Sequence, residues 1–140
     1  MSFTNPPDAA IADLLQQARV IAVVGLSDSP SKASYGVAEH MQRHGYTIVP
    51  ITPKPGVILG EQTYPDLASV PFPIDIVDIF RKPEAVLPHV EEAIAVGAKA
   101  VWLQLGIRND EASQRAADAG LVAVQDRCIK IEHYRFGGPA

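Results

Sequence analysis

The chain has 140 residues, and its 47% hydrophobic and 20% charged residues are typical of one globular domain. Twelve Lys and Arg residues against sixteen Asp and Glu residues give a net charge of −4, which argues against a general nucleic-acid binder. The longest apolar run has seven residues, whereas a membrane span needs about 20, and the N-terminus lacks a secretory pattern. We therefore expect a single domain over residues 1–140 that is cytoplasmic and binds neither membrane nor nucleic acid.

Apolar segments typical of strands alternate with amphipathic segments typical of helices. In chain order, the pattern predicts a helix at 9–17, a strand at 20–24, a helix at 35–44, a strand at 46–51, a short extended piece at 62–64, a turn of helix at 66–69, a strand at 74–80, a helix at 83–96, a strand at 100–103, a helix at 109–119 and a strand at 121–124. Pro83 suits a first helical turn and Asn109 a helix N-cap, while Gly45, Gly97 and Gly120 stand where helices end.

Strands and helices that alternate at this spacing indicate a parallel sheet, because right-handed crossovers return each helix onto the sheet. We predict an α/β fold: one Rossmann-like domain with a mainly parallel sheet and helices on both faces. Ligands of such sheets bind outside the carboxyl ends of the strands. The loops predicted there contain six of the twelve basic residues, namely Lys32, Lys54, Arg81, Lys82, Arg108 and Arg127.

The loop at 25–32 indicates an anion site. Gly25 lets the backbone approach a ligand, and the N–H groups ahead of the next helix can hold a phosphate. The dinucleotide pattern Gly-x-Gly-x-x-Gly is absent, because Ser27 and Pro30 replace its second and third glycines. The second strand also ends in Ile51-Thr52-Pro53 without the acidic residue that binds a nicotinamide-cofactor ribose. Both features disfavour classical NAD binding.

Six blocks in the chain resemble those of the small stand-alone CoA-binding-domain proteins, whose fold is similar to the CoA-binding domain of the succinyl-CoA synthetase alpha subunit. The resemblance covers about residues 11–133 and departs from the family pattern at Thr52, where asparagine usually precedes the proline. The blocks are Val23-Val24-Gly25-Leu26-Ser27, Lys32 with Ser34-Tyr35-Gly36-Val37, Gly45-Tyr46 with Ile51-Thr52-Pro53 and Leu59-Gly60-Glu61, Ile76-Val77-Asp78-Ile79-Phe80-Arg81, Val101-Trp102-Leu103-Gln104-Leu105-Gly106, and Asp126-Arg127-Cys128-Ile129-Lys130.

This resemblance implies CoA or an acyl-CoA as the ligand and suggests where its parts bind. The CoA diphosphate is expected over Gly25, Ser27 and the following helix start, with Lys32 beside it. The adenosine end is expected to be flanked by Pro53, Lys54, Phe80 and Arg81, and the pantetheine arm to face Leu103 and Gln104. Phe80 and Tyr35 each have two interpretations, a core side chain or a ligand contact.

The sequence shows no catalytic group. His40 and His44 have a spacing that can bind zinc, but no further ligand stands nearby, so we predict a solvated helix face and no metal site. His89 and His133 have no evident nucleophile partner. Asp75 and Asp78, three apart in a predicted strand, point to opposite faces and cannot form a carboxylate pair.

Two further side chains have a structural interpretation. Trp102 lies inside an apolar strand and is expected to pack in the core. Cys128 is the chain's single cysteine, so it forms no internal disulfide. The adjacent Arg127 could activate its thiol, but a small buried hydrophobic side chain is the expected role.

We interpret the chain as a CoA-binding protein that holds CoA or an acyl-CoA without catalysis of its own. One alternative is an enzyme that uses an acyl-CoA, for which a visible nucleophile or acid/base pair is expected. The other is a Rossmann domain for another nucleotide such as NAD. The sequence indicates no particular protein partner or oligomeric state.

Overall fold

The computed structural model describes residues 2–138. The helices are α1 (Asp8–Gln17), α2 (Ala33–Arg43), α3 (Val86–Ala95), α4 (Asp110–Asp118) and α5 (Ile129–Phe136), with short 3₁₀ helices at Leu67–Ser69 and Pro83–Ala85. The strands are β1 (Val20–Val24), β2 (Thr47–Ile51), β3 (Val57–Ile58), β4 (Glu61–Gln62), β5 (Ile76–Ile79), β6 (Ala100–Leu103) and β7 (Val122–Val124). No helix in residues 2–138 has the length and apolar content that a membrane span requires.

Five parallel strands form the central sheet in the order β2-β1-β5-β6-β7, which confirms the predicted Rossmann-like α/β fold. Alternate side chains of each strand enter two separate cores. One core contains Ile21, Val23 and Trp102 and is covered by α1, α2 and α5, while the other contains Ala22 and Val24 and is covered by α3 and α4. Trp102 is completely buried, as expected.

Pro50 shows how the sequence suits its place in the sheet. It lies in β2, the edge strand, and its carbonyl accepts a bond from the Tyr64 amide on the side away from β1. A proline nitrogen on that outer side interrupts no bond of the main ladder. The edge position therefore tolerates a residue that a central strand would exclude.

The predicted elements match the observed ones to within a few residues, but two elements were not predicted. Helix α5 occupies the segment after 124 for which no element was expected, and an antiparallel hairpin joins β3 to β4. The piece predicted at 62–64 overlaps only the end of this hairpin, and Tyr64 pairs with Ile51 as an isolated bridge.

The order of the strands creates one switch point. The chain passes from β1 to β2 on one side and later returns to β5 on the other side of β1. The connections after β1 and β5 therefore diverge at the carboxyl edge, and such a divergence leaves a crevice in open α/β sheets. The loop at 25–32 and the turn at Phe80–Lys82 border this crevice.

Candidate functional site at the carboxyl edge of the sheet

Gly25 is the first residue of the loop after β1, and its conformation depends on having no side chain. Its φ angle is +83°, in the left-handed region that favours glycine. A β-carbon on Gly25 would lie 2.5 Å from the Phe80 carbonyl oxygen and 3.3 Å from Cδ of Arg81. The loop after β1 and the turn after β5 therefore meet in close contact at the switch point.

Serine hydroxyls hold the rest of this loop in shape. The Ser27 amide donates to Oγ of Ser34 over 3.0 Å, and the Ser29 amide donates to Oγ of Ser27 over 3.0 Å. The hydroxyls of Ser29 and Ser31 lie 3.0 Å apart. These bonds link the loop to the first turn of α2 and fix its conformation before any ligand arrives.

The start of α2 offers open hydrogen-bond donors. Lys32 occupies the N-cap position without a side-chain capping bond, and the first turn contains no acidic residue. Among the bonds between residues 2 and 138, none engages the amides of Ala33, Ser34 and Tyr35. An uncapped helix start combines free N–H groups with the positive end of the helix dipole, so it suits an anion.

Three exposed cations stand on the two loops that meet at the switch point, Lys32 at the start of α2 and Arg81 and Lys82 in the turn after β5. Within the described part of the chain, no carboxylate lies within 4.0 Å of the cationic groups of Lys32, Arg81 and Lys82. The other basic residues of the edge are paired: Lys54 with Asp28 at 3.0 Å, Arg108 with Asp110 and Asp126 at 3.6 Å each, and Arg127 with Glu132 at 3.9 Å. The charge available to a ligand is therefore concentrated at the switch point.

A cleft of about 200 Å³ opens beside the loop after β1. Its walls are formed by Leu26, Ser27 and Asp28, by Thr52 and the segment 54–56, and by the hairpin residues Val57, Ile58 and Thr63. Lys54 donates a hydrogen bond to the Asp28 carboxylate, and this bond together with its charge holds the pKa of Asp28 below its usual value. Asp28 is therefore ionised at neutral pH, and its negative charge stands within the loop at 25–32 for which an anion site is predicted.

The structure brings most of the predicted ligand residues to this edge. Gly25, Ser27, Lys32, Pro53, Lys54 and Arg81 lie in its loops with exposed or half-exposed side chains, while Tyr35 and Phe80 are half-buried and pack against the core. The side chains of Leu103 and Gln104, by contrast, are buried. Leu103 is completely buried in the core under α3 and α4, and Oε1 of buried Gln104 accepts a bond from the Ile129 amide.

The predicted solvated helix face at His40 and His44 is wrong for His40. Its ring is buried because α5 packs on α2, and its Nε2 lies 3.0 Å from Nδ1 of His133. Burial, followed by repulsion from His44 and His133, lowers the pKa of His40 to about 4, so the ring is neutral at neutral pH. The sequence could not show this contact because α5 was not predicted.

The sequence did not predict two parts of the cleft wall, the acidic residue Asp28 and the apolar residues Val57 and Ile58. Asp28 stands in the loop at 25–32, but only the structure shows that it faces Lys54 across the cleft. Val57 and Ile58 enter the wall through the unpredicted hairpin. Cys128, expected to be buried, is half-buried at the N-cap of α5.

The fold and the edge together define a Rossmann-like domain whose switch point carries an uncapped helix start and basic residues. Residues 19–134 match the family described as CoA binding domain, and the chain belongs to that family. It is 40% identical over 129 residues to the uncharacterized protein YneT of Bacillus subtilis (strain 168), an alignment that covers 92% of this chain and 96% of YneT.

Solved structures show the same fold. A hypothetical protein from Pyrococcus horikoshii OT3 is 38% identical, with a TM-score of 0.89 over 97% of this chain and 99% of that one. The apo form of a dinucleotide forming acetyl-coenzyme A synthetase 1 from Ca. Korarchaeum cryptofilum is 24% identical, with a TM-score of 0.71. That alignment covers 83% of this chain and 28% of the synthetase chain, and it shows a shared fold.

Proposed function

We propose that this protein binds CoA or an acyl-CoA at the carboxyl edge of its sheet and performs no chemistry of its own. One observation carries the proposal: an uncapped helix start at the switch point stands with three exposed cations, Lys32, Arg81 and Lys82, that pair with no carboxylate among residues 2–138. Membership in the CoA binding domain family supports CoA as the ligand that these groups recognise.

The charges of ligand and site are complementary. CoA carries roughly four negative charges, and oriented N–H groups with nearby cations bind phosphate oxygens more strongly than neutral groups do. The chain as a whole has a net charge of −4, so attraction to CoA depends on the local charge at this edge. We expect the affinity to fall as salt screens these exposed groups.

The shape of the edge suggests how CoA lies on it. In the proposed arrangement, the diphosphate contacts the amides at the start of α2 and the Lys32 ammonium. The adenosine end enters the cleft beside Lys54, and Arg81 contacts the ribose phosphate. Because the cleft holds only about 200 Å³, the pantetheine arm would extend outward along the edge.

The hydroxyl groups at this edge are arranged for binding. Those of Ser27 and Ser34 accept bonds from backbone amides, and those of Ser29 and Ser31 bond to each other. A serine nucleophile would instead need a general base within hydrogen-bond reach. These bonds support a role in holding the ligand, so we propose no chemical step for the site.

A thermal-shift comparison of CoA, acetyl-CoA, NAD and ATP tests the proposal. A ligand present at about 100 times its dissociation constant stabilises the fold by roughly 2.7 kcal/mol, which raises the Tm of a chain of this size by about 5–10 °C. We expect such shifts with CoA and acetyl-CoA and smaller ones with NAD. A clear shift with NAD and none with millimolar CoA would overturn the proposal.

A matched pair of lysine variants tests the site. Lys32→Ala should weaken CoA binding about tenfold, because a charged contact contributes roughly 1.5 kcal/mol or more. Lys99→Ala removes the same charge just before β6, at the amino edge of the sheet, and should leave the affinity unchanged. Equal losses in the two variants would show that the lysine at the helix start has no specific role.

A further inference from the structure

Three of the chain's four histidines meet on the side of the sheet covered by α2 and α5. His40 lies in the last turn of α2, His44 is the C-cap residue of that helix, and His133 lies in α5. One ring nitrogen from each residue lies within 4.8 Å of the other two. His40 and His133 are buried, whereas His44 is exposed. We propose that these three histidines form a binding site for a divalent transition metal of the zinc type.

Two of the rings are already fixed in a tautomer that can bind a metal. Nε2 of His133 lies 2.6 Å from the carbonyl oxygen of Gly138, and Nδ1 of His44 lies 2.7 Å from that of His40. A carbonyl oxygen only accepts, so each of these nitrogens carries a proton and the other nitrogen of the ring has a free lone pair. Metal-binding histidines usually donate their second N–H to such a partner, which orients the ring.

The third ring, that of His40, contacts the lone-pair nitrogen of His133. Nε2 of His40 and Nδ1 of His133 are 3.0 Å apart and share one proton. Two nitrogens bound to one tetrahedral zinc at about 2.0–2.1 Å lie about 3.3 Å apart, so the observed spacing is close to that of two ligands. The ion would replace the shared proton, which moves to Nδ1 of His40. The exposed His44 ring completes the set by a small shift, since one of its nitrogens already lies within 4.8 Å of a nitrogen of each of the other two rings.

The chemistry of the ligands selects the class of metal. Imidazole nitrogens favour zinc, copper and nickel over the hard cations magnesium and calcium, which prefer oxygen. Three neutral histidines with a fourth position open to solvent on the His44 side form a common zinc arrangement. The site is separate from the proposed CoA site, because His40 lies seven residues beyond the start of α2, about 10 Å along the helix.

Metal binding by the three histidines would stabilise the packing of α5 on α2. The site joins α2 to α5, whose Ile129 is completely buried in the core that α1, α2 and α5 share. A ligand that binds only the docked arrangement stabilises it by mass action. We therefore expect zinc to raise the Tm of the metal-free protein and to slow hydrogen exchange in α5.

Calorimetric titration of the untagged, EDTA-treated protein with ZnCl₂ tests the site. We expect one zinc ion per chain and binding about 100-fold weaker in His44→Gln, because loss of a ligand costs at least as much as the 10- to 100-fold loss from an outer-shell partner. His44 is exposed, so this variant should fold, and its Tm in EDTA should fall only by the loss of the Nδ1 hydrogen bond to the His40 carbonyl. His89→Gln changes the fourth histidine, on α3, and should bind zinc as the wild type does.

Nitrogen-15 NMR of the histidine rings gives a second readout that does not depend on stability. Zinc should shift the resonances of Nδ1 of His133 and the lone-pair nitrogen of His44, while the ring of His89 stays unchanged. The site would be disproved if the wild type bound less than one zinc ion, if His44→Gln bound zinc as tightly as the wild type, or if His89→Gln weakened binding equally.

Discussion

The Lys54 ammonium lies 3.0 Å from the Asp28 carboxylate and joins the loop after β1 to the loop after β2 across the mouth of the cleft. This pair places a negative charge beside the proposed phosphate site and engages one of the cations expected to bind CoA. Both side chains are exposed, so the pair contributes little to stability. Its main expected effect is therefore on the binding of CoA at the proposed site.

Asp28→Asn should tighten CoA binding roughly threefold to tenfold, because it removes a repulsive charge and frees Lys54 for the ligand. Calorimetry at low salt measures the change. Glu39→Gln is the matched control, since it also removes one negative charge and breaks an exposed ion pair, with Arg43 at 3.4 Å, on α2. Weaker binding in Asp28→Asn would show that the carboxylate contacts the ligand favourably.

Arg81 should recognise the ribose 3′-phosphate that distinguishes CoA from dephospho-CoA. A charge-assisted contact of about 1.5–3 kcal/mol predicts that dephospho-CoA binds roughly 10- to 100-fold more weakly to the wild type. Arg81→Ala should narrow this ratio, whereas Lys32→Ala should weaken both ligands alike through the shared diphosphate. The affinities of the wild type and of Arg81→Ala for the two ligands form a double-mutant cycle across protein and ligand. An unchanged ratio in Arg81→Ala would place the 3′-phosphate elsewhere.

Gly25→Ala should destabilise the protein. The left-handed φ of +83° costs a residue with a β-carbon about 1–2 kcal/mol, and the contact of 2.5 Å with the Phe80 carbonyl adds to that cost. Gly36→Ala is the control, because Gly36 lies inside α2 and a β-carbon there meets nothing within 4 Å. That variant should be more stable by about 0.5–1 kcal/mol. Urea unfolding measures both, and equal stability of the two variants would contradict the close packing at the switch point.

Asp78 should make stability fall as pH rises. It lies in β5 between Val23 of β1 and Trp102 of β6, and its side chain is buried. Its Oδ1 has no partner in residues 2–138, and burial raises its pKa well above the usual value. The folded state then keeps a proton that the unfolded state releases above about pH 4. This contribution lowers stability by up to about 1.4 kcal/mol per pH unit until the pH reaches the raised pKa.

Asp78→Asn removes that titration, so the stability of the variant relative to the wild type should increase with pH above about 4. Asp75→Asn should show the opposite trend. Burial raises the pKa of Asp75, but bonds from the Arg19 and Val20 amides and from Lys99 bring it below the usual value. The stabilisation by Asp75 is therefore present above about pH 4 and lost as pH falls through the lowered pKa. Urea unfolding from pH 3 to 8 compares the variants, and parallel curves for all three proteins would contradict both assignments.

The sheet and its covering helices could be predicted because their pattern is strong. Val20–Val24 is apolar throughout, as a strand covered on both faces requires. Glycines mark the ends of α2, α3 and α4, where Gly45, Gly97 and Gly120 all have positive φ values. An apolar run and a glycine at a helix end are local features of the sequence, so these elements can be predicted from short segments.

Helix α5 and the hairpin could not be predicted for physical reasons. The buried side of α5 consists of Ile129, Glu132 and His133, so two of its three buried side chains are polar and no apolar stripe is visible. Each hairpin strand has two residues, too few for a periodic pattern. The turn between them places Leu59 at φ +55°, a conformation that leucine rarely adopts.

The residues of the candidate site could be proposed from the sequence, but the contacts between them could not. The loop at 25–32, Arg81 and the basic residues follow from the rule that ligands bind beyond the carboxyl ends of parallel strands. The Asp28–Lys54 pair and the contact between Gly25 and Phe80 join residues far apart in the chain. Such contacts depend on loop geometry that no local pattern encodes.

Titration of the ¹⁵N-labelled protein with CoA, followed by amide NMR, tests the central claim most directly. Bound CoA should shift the amides of the loop at 25–32, the first turn of α2, the segment 52–56 and the turn at 80–82. The amides of His40, His44 and His133 should remain in place. Absence of any shift at millimolar CoA, or shifts confined to residues away from the carboxyl edge, would contradict the claim that this edge is the CoA-binding site.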